Sequence, residues 1–496
     1  MSTTAETLAA AYFKDGTLPA LPSGHFIDGA YRPSANGGTM EAFDPGLGKA
    51  FASFAAGDAE DVERAVASAA RAAVLWRRST PIERRRVLAA AARLVRERAE
   101  TLAFMEVLDS GKTIAEARGD IANVARLFDY YGGLAELHEG ASIPLGPDLT
   151  SFTVNEPVGV TAHIIPWNYP SSTFARGIAS ALAAGCSAVA KPAETTPFTA
   201  LLFAGILSEA GLPAGVLNVV TGLGTDAGAP LVAHPAVRHI TFTGSVATGV
   251  RVAQSAAPNV ASLTLELGGK SPVVCLGDCD LDAAAEGVLW AIFCNAGQVC
   301  SAGSRLIVER SIHGALVEKI VTLTKALKVG HGLRGADVGA INSPAQLARI
   351  RTHVDAARAR GRSIVTGGGI GADAIADTGW FYRPTIIDDL PADDACVCEE
   401  IFGPVLSVQV VDDDDAALAA ANGTEYGLYA GIYTRDIGRA MRLAREIVAG
   451  QVTVNDYWAG GIALPFGGMG KSGYGREKGR EGIDAYTATK TITIRG

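Results

Sequence analysis

From Gly159 onward the chain alternates short apolar runs with stretches whose apolar residues recur at helical spacing. Gly159 to Ile165, Ser187 to Lys191, Val216 to Val220, His239 to Phe242 and Ser262 to Leu267 read as strands. Strands separated by helix-length segments predict an open parallel sheet with helices on both faces. Upstream, Ala59 to Trp76 and Ile114 to Leu137 carry helical patterns, and a third helix starts at Thr80-Pro81-Ile82-Glu83. There Thr80 can cap, Pro81 suits the first helical position and Glu83 completes a capping box, while Val87, Leu88, Ala91, Leu94 and Val95 recur on one face. A strand is expected near His25 to Tyr31. Thr150 to Glu156 and Tyr486 to Ile494 alternate with a period of two and read as ribbon strands whose edges need covering. A second alternating region runs from Leu267 to about Met469. The expected fold class is α/β.

Composition narrows the picture. With 496 residues the chain is too long for one ordinary core, so two or three domains are expected. A net charge of -9 argues against a nucleic-acid surface, which needs clustered positive charge. The basic run Arg84, Arg85, Arg86, Arg93, Arg96 and Arg98 is interleaved with Glu83, Glu97 and Glu100, the pattern of a solvated helix face. Seven scattered cysteines do not form a disulfide framework and point to a reducing compartment, the cytoplasm by default. Cys275, Cys279, Cys396 and Cys398 lack histidines at ligand spacing, so no metal is expected. Met1 to Gly24 reads as a loosely held arm rather than a signal sequence, and no apolar run is long enough to span a membrane. Gly367 to Gly371 resembles a phosphate loop but has no helix with a lysine behind it, so a turn is expected.

Ligands of open parallel sheets bind beyond the carboxyl ends of the strands, which makes the residues just after each strand informative. After the first comes Pro166-Trp167-Asn168-Tyr169-Pro170, where the usual Gly-x-Gly-x-x-Gly fingerprint is absent. After the second stand Lys191 and Glu194, placed to read a ribose or, equally, to serve as a surface lysine and a helix-start acid. After the fourth, Phe242-Thr243-Gly244-Ser245 opens a helix whose N-H groups can take a pyrophosphate. Two further stretches carry reactive types. Cys300 lies in Phe293-Cys294-Asn295-Ala296-Gly297-Gln298-Val299-Cys300-Ser301-Ala302-Gly303, among small residues that leave room for a substrate. A buried small-hydrophobe role is the alternative for it. Glu266 interrupts the apolar Leu263-Thr264-Leu265-Glu266-Leu267-Gly268-Gly269, where burial would raise its pKa toward that of a general base.

Together the Glu266 and Cys300 stretches resemble the glutamate and cysteine motifs of the NAD(P)-dependent aldehyde dehydrogenase superfamily, and family-like motifs run from about Trp76 to the C-terminus. The resemblance implies an NAD-binding domain (1–136 and 157–267), a catalytic domain (268–476) and a small β oligomerisation ribbon (137–156 and 477–496), in a homo-oligomer, dimer or tetramer. It implies that NAD, with NADP as an alternative, is held by Ile165, Pro166, Trp167, Lys191, Glu194, Gly224, Phe242, Gly244, Ser245, Gly268, Glu400 and Phe402. Catalysis falls to Cys300 as nucleophile, Asn168 with the Cys300 N-H as oxyanion donors, and Glu266 as the base for hydrolytic water and an aid to thiol deprotonation. Tyr169, Thr173, Val299, Ser301, Tyr457, Trp458 and Phe466 are the implied substrate walls, with Trp167 close by. Aromatic walls suit a neutral aromatic or medium-chain aldehyde, or alternatively a betaine-type cation. Glu266 argues against a relative that releases its product to coenzyme A, and retention of the whole residue set argues against a structural protein on the same fold. One departure stands out. The lysine that partners the glutamate matching Glu477 in many relatives is here Gly177, with Arg176 beside it.

Overall fold

The computed structural model describes residues 4–374 and 377–496. All five expected strands form, as Val160–Ile165, Ser187–Pro192, Leu217–Val219, Val237–Thr243 and Ser262–Glu266, and they are mutually parallel. In space the order is third, second, first, fourth, fifth, so the winding reverses between Val160–Ile165 and Val237–Thr243. Such a reversal splays the following loops apart and opens a crevice at the carboxyl ends of those two strands. The sheet is extended antiparallel at one edge by His25–Ile27 and Ala30–Arg32, a hairpin rather than the single strand expected there, because Asp28 and Gly29 take positive φ. At the other edge Gly473–Tyr474 pairs with Leu265 and Glu266, so a segment from beyond the second region returns to the first sheet.

The second region builds its own seven-stranded sheet, in which Thr385–Asp388, Val405–Val411, Arg305–Glu309, Pro272–Cys275, Tyr429–Tyr433 and Gln451–Val454 run parallel. Only Ser363–Thr366 is antiparallel. Gly367 and Gly368 then turn the chain with positive φ. Leu149–Pro157 pairs antiparallel with Thr487–Arg495, placing Lys490 opposite Val154. The two ribbon strands expected from their alternation thus pair with each other within the chain.

The helix Pro81–Glu97 starts on the expected capping box, with Thr80 and Glu83 bonding reciprocally. Three of its arginines make ion pairs near the surface, Arg93 with Glu97, Arg96 with Asp129 and Arg85 with Glu136, while Arg84 turns in to donate to the Ala183 carbonyl at 2.8 Å. The helix from Ile114 stops at Leu134, short of Leu137, after the poor helix formers Gly132 and Gly133. The largest departure is at the N-terminus. Met1, Ser2 and Thr3 lie outside the described residues, but Ala5–Asp15 is a capped helix, not a loose arm. It buries Ala5, Ala9 and Tyr12, and the Tyr12 hydroxyl donates to Asp44 at 2.9 Å. Among the described residues all seven cysteines are free thiols, and no helix is long and apolar enough to cross a membrane.

Candidate active site

The Cys300 loop is held in an unusual backbone path. Asn295, Ala296 and Gly297 have φ of 49°, 53° and 72°, three consecutive left-handed residues. Two side chains of this stretch hold the path: Asn295 Nδ2 donates to the Asn168 carbonyl at 3.0 Å, and Gln298 accepts from the Asn342 N-H at 2.9 Å. A Cβ on Gly297 would come within 2.1 Å of the Gly403 carbonyl, so only glycine permits this approach. The loop delivers Cys300 to a cavity of about 400 Å³ between the two sheets. Burial pushes the thiol up to about 11, against the opposing pull of the Arg176 guanidinium and of the Ser301 N-H.

Asn168, just past the first strand, shares this cavity wall. One of its amide hydrogens goes to the Gln298 carbonyl at 2.8 Å, leaving the second for a ligand. Glu266 ends the fifth strand, 1% exposed, with neither carboxylate oxygen hydrogen-bonded among the described residues. Burial first, and then the neighbouring Glu477 charge, hold it well above the usual carboxylate range. Arg176 pairs with Glu477 and lies on the cavity wall. At the neighbouring Gly177 a Cβ would lie 2.6 Å from His163 Nδ1, so that position has no room for a longer side chain.

Tyr169, Thr173, Val299, Ser301, Trp458 and Phe466 all line the cavity. Tyr457 stands behind the wall instead, 1% exposed, its hydroxyl donating to the Ser301 carbonyl at 2.7 Å. Trp167 turns away to meet Phe402 edge-on at 5.2 Å between ring centres. Sequence reading missed Asp120, Asn123 and Leu127, which face the cavity from one side of the helix Ile114–Leu134, and Lys478 beside Glu477. Their helical spacing was visible, but not which neighbour that face meets.

The crevice at the winding reversal is bordered by Ile165, Pro166 and Trp167 on one side and Phe242, Thr243, Gly244 and Ser245 on the other. Lys191 Nζ reaches Glu194 at 3.2 Å at the end of the second strand. Ser245 caps its own helix by accepting from the Thr248 N-H, and the Phe242 ring covers Gly244 so closely that a Cβ there would meet it at 2.7 Å. Gly224 opens an exposed helical turn beyond the third strand. Across the crevice Glu400 accepts from the Gly269 N-H at 2.9 Å, and a Cβ on Gly268 would lie 2.3 Å from its other oxygen. Phe402 takes φ of 60°.

An eight-stranded and a seven-stranded α/β sheet, a crevice at one strand reversal, and a thiol, an amide and a buried acid close to one cavity describe an α/β protein with a candidate reactive site. The Aldehyde dehydrogenase family model matches residues 31–492. Over 480 residues the chain is 41% identical to hydroxyisobutyraldehyde dehydrogenase of Mycolicibacterium austroafricanum, covering 96% of this chain and 95% of that one. It is 42% identical to aminoacetaldehyde dehydrogenase of Pseudomonas aeruginosa, with 96% of each chain covered. The crystal structure of betaine aldehyde dehydrogenase from Staphylococcus aureus in complex with NAD+ superposes with a TM-score of 0.95 at 35% identity, covering 99% of this chain and 97% of that one. This chain belongs to the aldehyde dehydrogenase family.

Proposed function

We propose that the protein oxidises an aldehyde to a carboxylic acid with NAD, using Cys300 as nucleophile. The observation that carries the reading is the Cys300 thiol opening onto a cavity that also presents the Asn168 amide, with the unpartnered Glu266 carboxylate near enough to act on the thiol's pKa. The crevice residues fit a dinucleotide. Among the described residues the buried Thr243 hydroxyl has no hydrogen-bond partner, and Glu400, which accepts from the Gly269 N-H with one oxygen, has its other carboxylate oxygen available for a ribose hydroxyl. Lys191 and Glu194 suit the second ribose, and the first turn of the helix Val246–Ala256 offers N-H groups to the phosphates. When bound, NAD supplies the acceptor for the hydrogen and electron pair that leave the aldehyde carbon.

The chain's own groups do the rest. Because the thiol is pushed up to about 11, its proton must be taken as sulfur adds to the carbonyl, and the raised Glu266 is the base at hand. The oxyanion so formed accepts from the free Asn168 amide hydrogen and the Cys300 N-H; each such donor is worth roughly a hundred- to a thousandfold in rate. Loss of the carbonyl hydrogen leaves a thioester on Cys300. Glu266, once it has passed the thiol's proton to solvent, takes a proton from the water that attacks the thioester; the acid leaves and that proton returns to the sulfur, restoring the thiol. Arg176 lowers the pKa of both groups and keeps the Glu477 charge compensated.

The rings of Tyr169, Trp458 and Phe466 suit the stem of an aromatic or medium-chain aldehyde. The names of the Pseudomonas and Staphylococcus relatives favour a cationic aldehyde as a second reading. The exposed strand Thr487–Arg495 is the surface on which this reading seats a second copy, to be checked by light scattering. The direct test is NADH formation from a panel of aldehydes by the wild type and Cys300→Ala. Turnover by the wild type alone supports the proposal, and comparable turnover by the variant contradicts it.

A further inference from the structure

The cavity's charges are lopsided. Its wall holds one acid, Asp120, and three bases, Arg126, Arg176 and Lys478. Asp120 is already engaged, accepting from Lys112 Nζ at 2.5 Å and from the Ser172 hydroxyl at 3.2 Å. Lys112 itself is fully enclosed, standing 4.4 Å over the Tyr169 ring and also holding Glu106. Arg176 is likewise matched, by Glu477. That leaves two cations. Among the described residues neither Arg126 nor Lys478 has a carboxylate within 4.0 Å or a side-chain hydrogen bond, so their charges are the ones a ligand can meet. Arg126 is exposed on the helix Ile114–Leu134, at the solvent side of the cavity. Lys478 lies deeper, its Nζ 5.0 Å from the centre of the Phe466 ring, with Arg176 5.3 Å from the same ring. Burial first and then the Arg176 charge push the Lys478 ammonium down to about 8, against the raising pull of Glu477, Cys300 and Glu266, and among the described residues neither acid is within ion-pair distance of it.

We propose that the aldehyde this cavity takes carries a carboxylate at the end remote from its carbonyl, bound by Lys478 with Arg126 at the mouth. The inference rests on the aldehyde-oxidising reading above and names its substrate class. A charge-assisted hydrogen bond to a partly buried ammonium favours the anion over an uncharged analogue by about tenfold or more. The same two cations repel a quaternary-ammonium aldehyde, although the surrounding rings would otherwise welcome one.

The experiment compares kcat/KM for adipate semialdehyde, hexanal, which has the same chain without the carboxylate, and betaine aldehyde. Wild type, Lys478→Met and Arg126→Gln are each assayed with NAD. The expected result is that adipate semialdehyde exceeds hexanal at least about tenfold in the wild type, with betaine aldehyde last. The ratio of the first two should fall toward one in Lys478→Met, chiefly through the KM of the carboxylate substrate, and partway in Arg126→Gln. The Arg126 side chain is exposed, so that variant is expected to fold even where Lys478→Met does not. Hexanal or betaine aldehyde equalling adipate semialdehyde in the wild type, or a ratio unmoved in the folded variants, overturns the inference while leaving aldehyde oxidation intact. Oxidation of no aldehyde would overturn both.

Discussion

Replacing Gly297 by alanine tests how the sequence builds the nucleophile's position. The residue has φ of 72°, and its new Cβ would lie 2.1 Å from the Gly403 carbonyl oxygen, 2.4 Å from that carbon and 2.8 Å from Pro404 N. All three are backbone atoms, so no side chain can swing aside. The left-handed conformation costs an alanine about 1 kcal/mol, and relieving the clash adds roughly 1 to 3 kcal/mol more. For a chain this long the unfolding entropy is about 1 kcal/mol per degree, so the melting temperature should fall by only about 2 to 4 °C. Activity should respond far more. Cys300 is three residues away on the same pinned loop, and a displacement of about 1 Å at a reacting atom costs roughly a hundredfold. The assay is kcat/KM for aldehyde oxidation beside differential scanning calorimetry. A variant that melts within a degree of wild type and keeps its activity would refute the argument that Gly297 positions the thiol.

Three other outcomes are expected. Asn168→Ala should lower kcat by about a hundredfold or more with little change in melting temperature, read by steady-state kinetics. The active forms of Cys300 and Glu266 are both deprotonated and both pKa values are raised, so activity is lost as pH falls and gained as it rises. Arg176→Gln removes a cation that lowers both, so the rising limb of its pH-rate profile should move to higher pH, while Arg176→Lys should hold it in place. Glu194→Gln should raise the NADP-to-NAD ratio of kcat/KM by about tenfold, because a carboxylate that accepts a ribose hydroxyl repels a phosphate there.

The parallel sheet was legible because its strands are short apolar runs bounded by glycine and helix starts, and each of the five lands within a few residues of its expected place. The Thr80 helix start was legible for the same kind of reason, since capping is written in residues three apart. What failed depends on distant partners. The N-terminal helix has a weak pattern of its own and is fixed by Tyr12 reaching Asp44 and by the Ala5 N-H donating to Glu100, neither visible from residues 1–24. Tyr457 and Trp458 are adjacent, and no local rule says that Tyr457 is turned inward to the Ser301 carbonyl while Trp458 faces the cavity. The site motifs around Glu266 and Cys300 could be read as reactive, but Lys478 could not, because its meaning comes from having no carboxylate within ion-pair distance among the described residues.

In the mechanism proposed above, the reaction passes through a thioester on Cys300 which Glu266 helps to hydrolyse. Glu266→Gln, mixed with NAD and an aldehyde it accepts, quenched in acid, digested and analysed by mass spectrometry, tests this directly. The peptide carrying Cys300 should gain the mass of the aldehyde less two hydrogens, in a single burst of NADH that is slower than the wild type's first turnover, because the thiol's base is gone, yet faster than the turnover that follows, and Cys300→Ala should show neither. A Glu266→Gln protein that turns over at the wild-type rate, or an acyl group found on a residue other than Cys300, would contradict it.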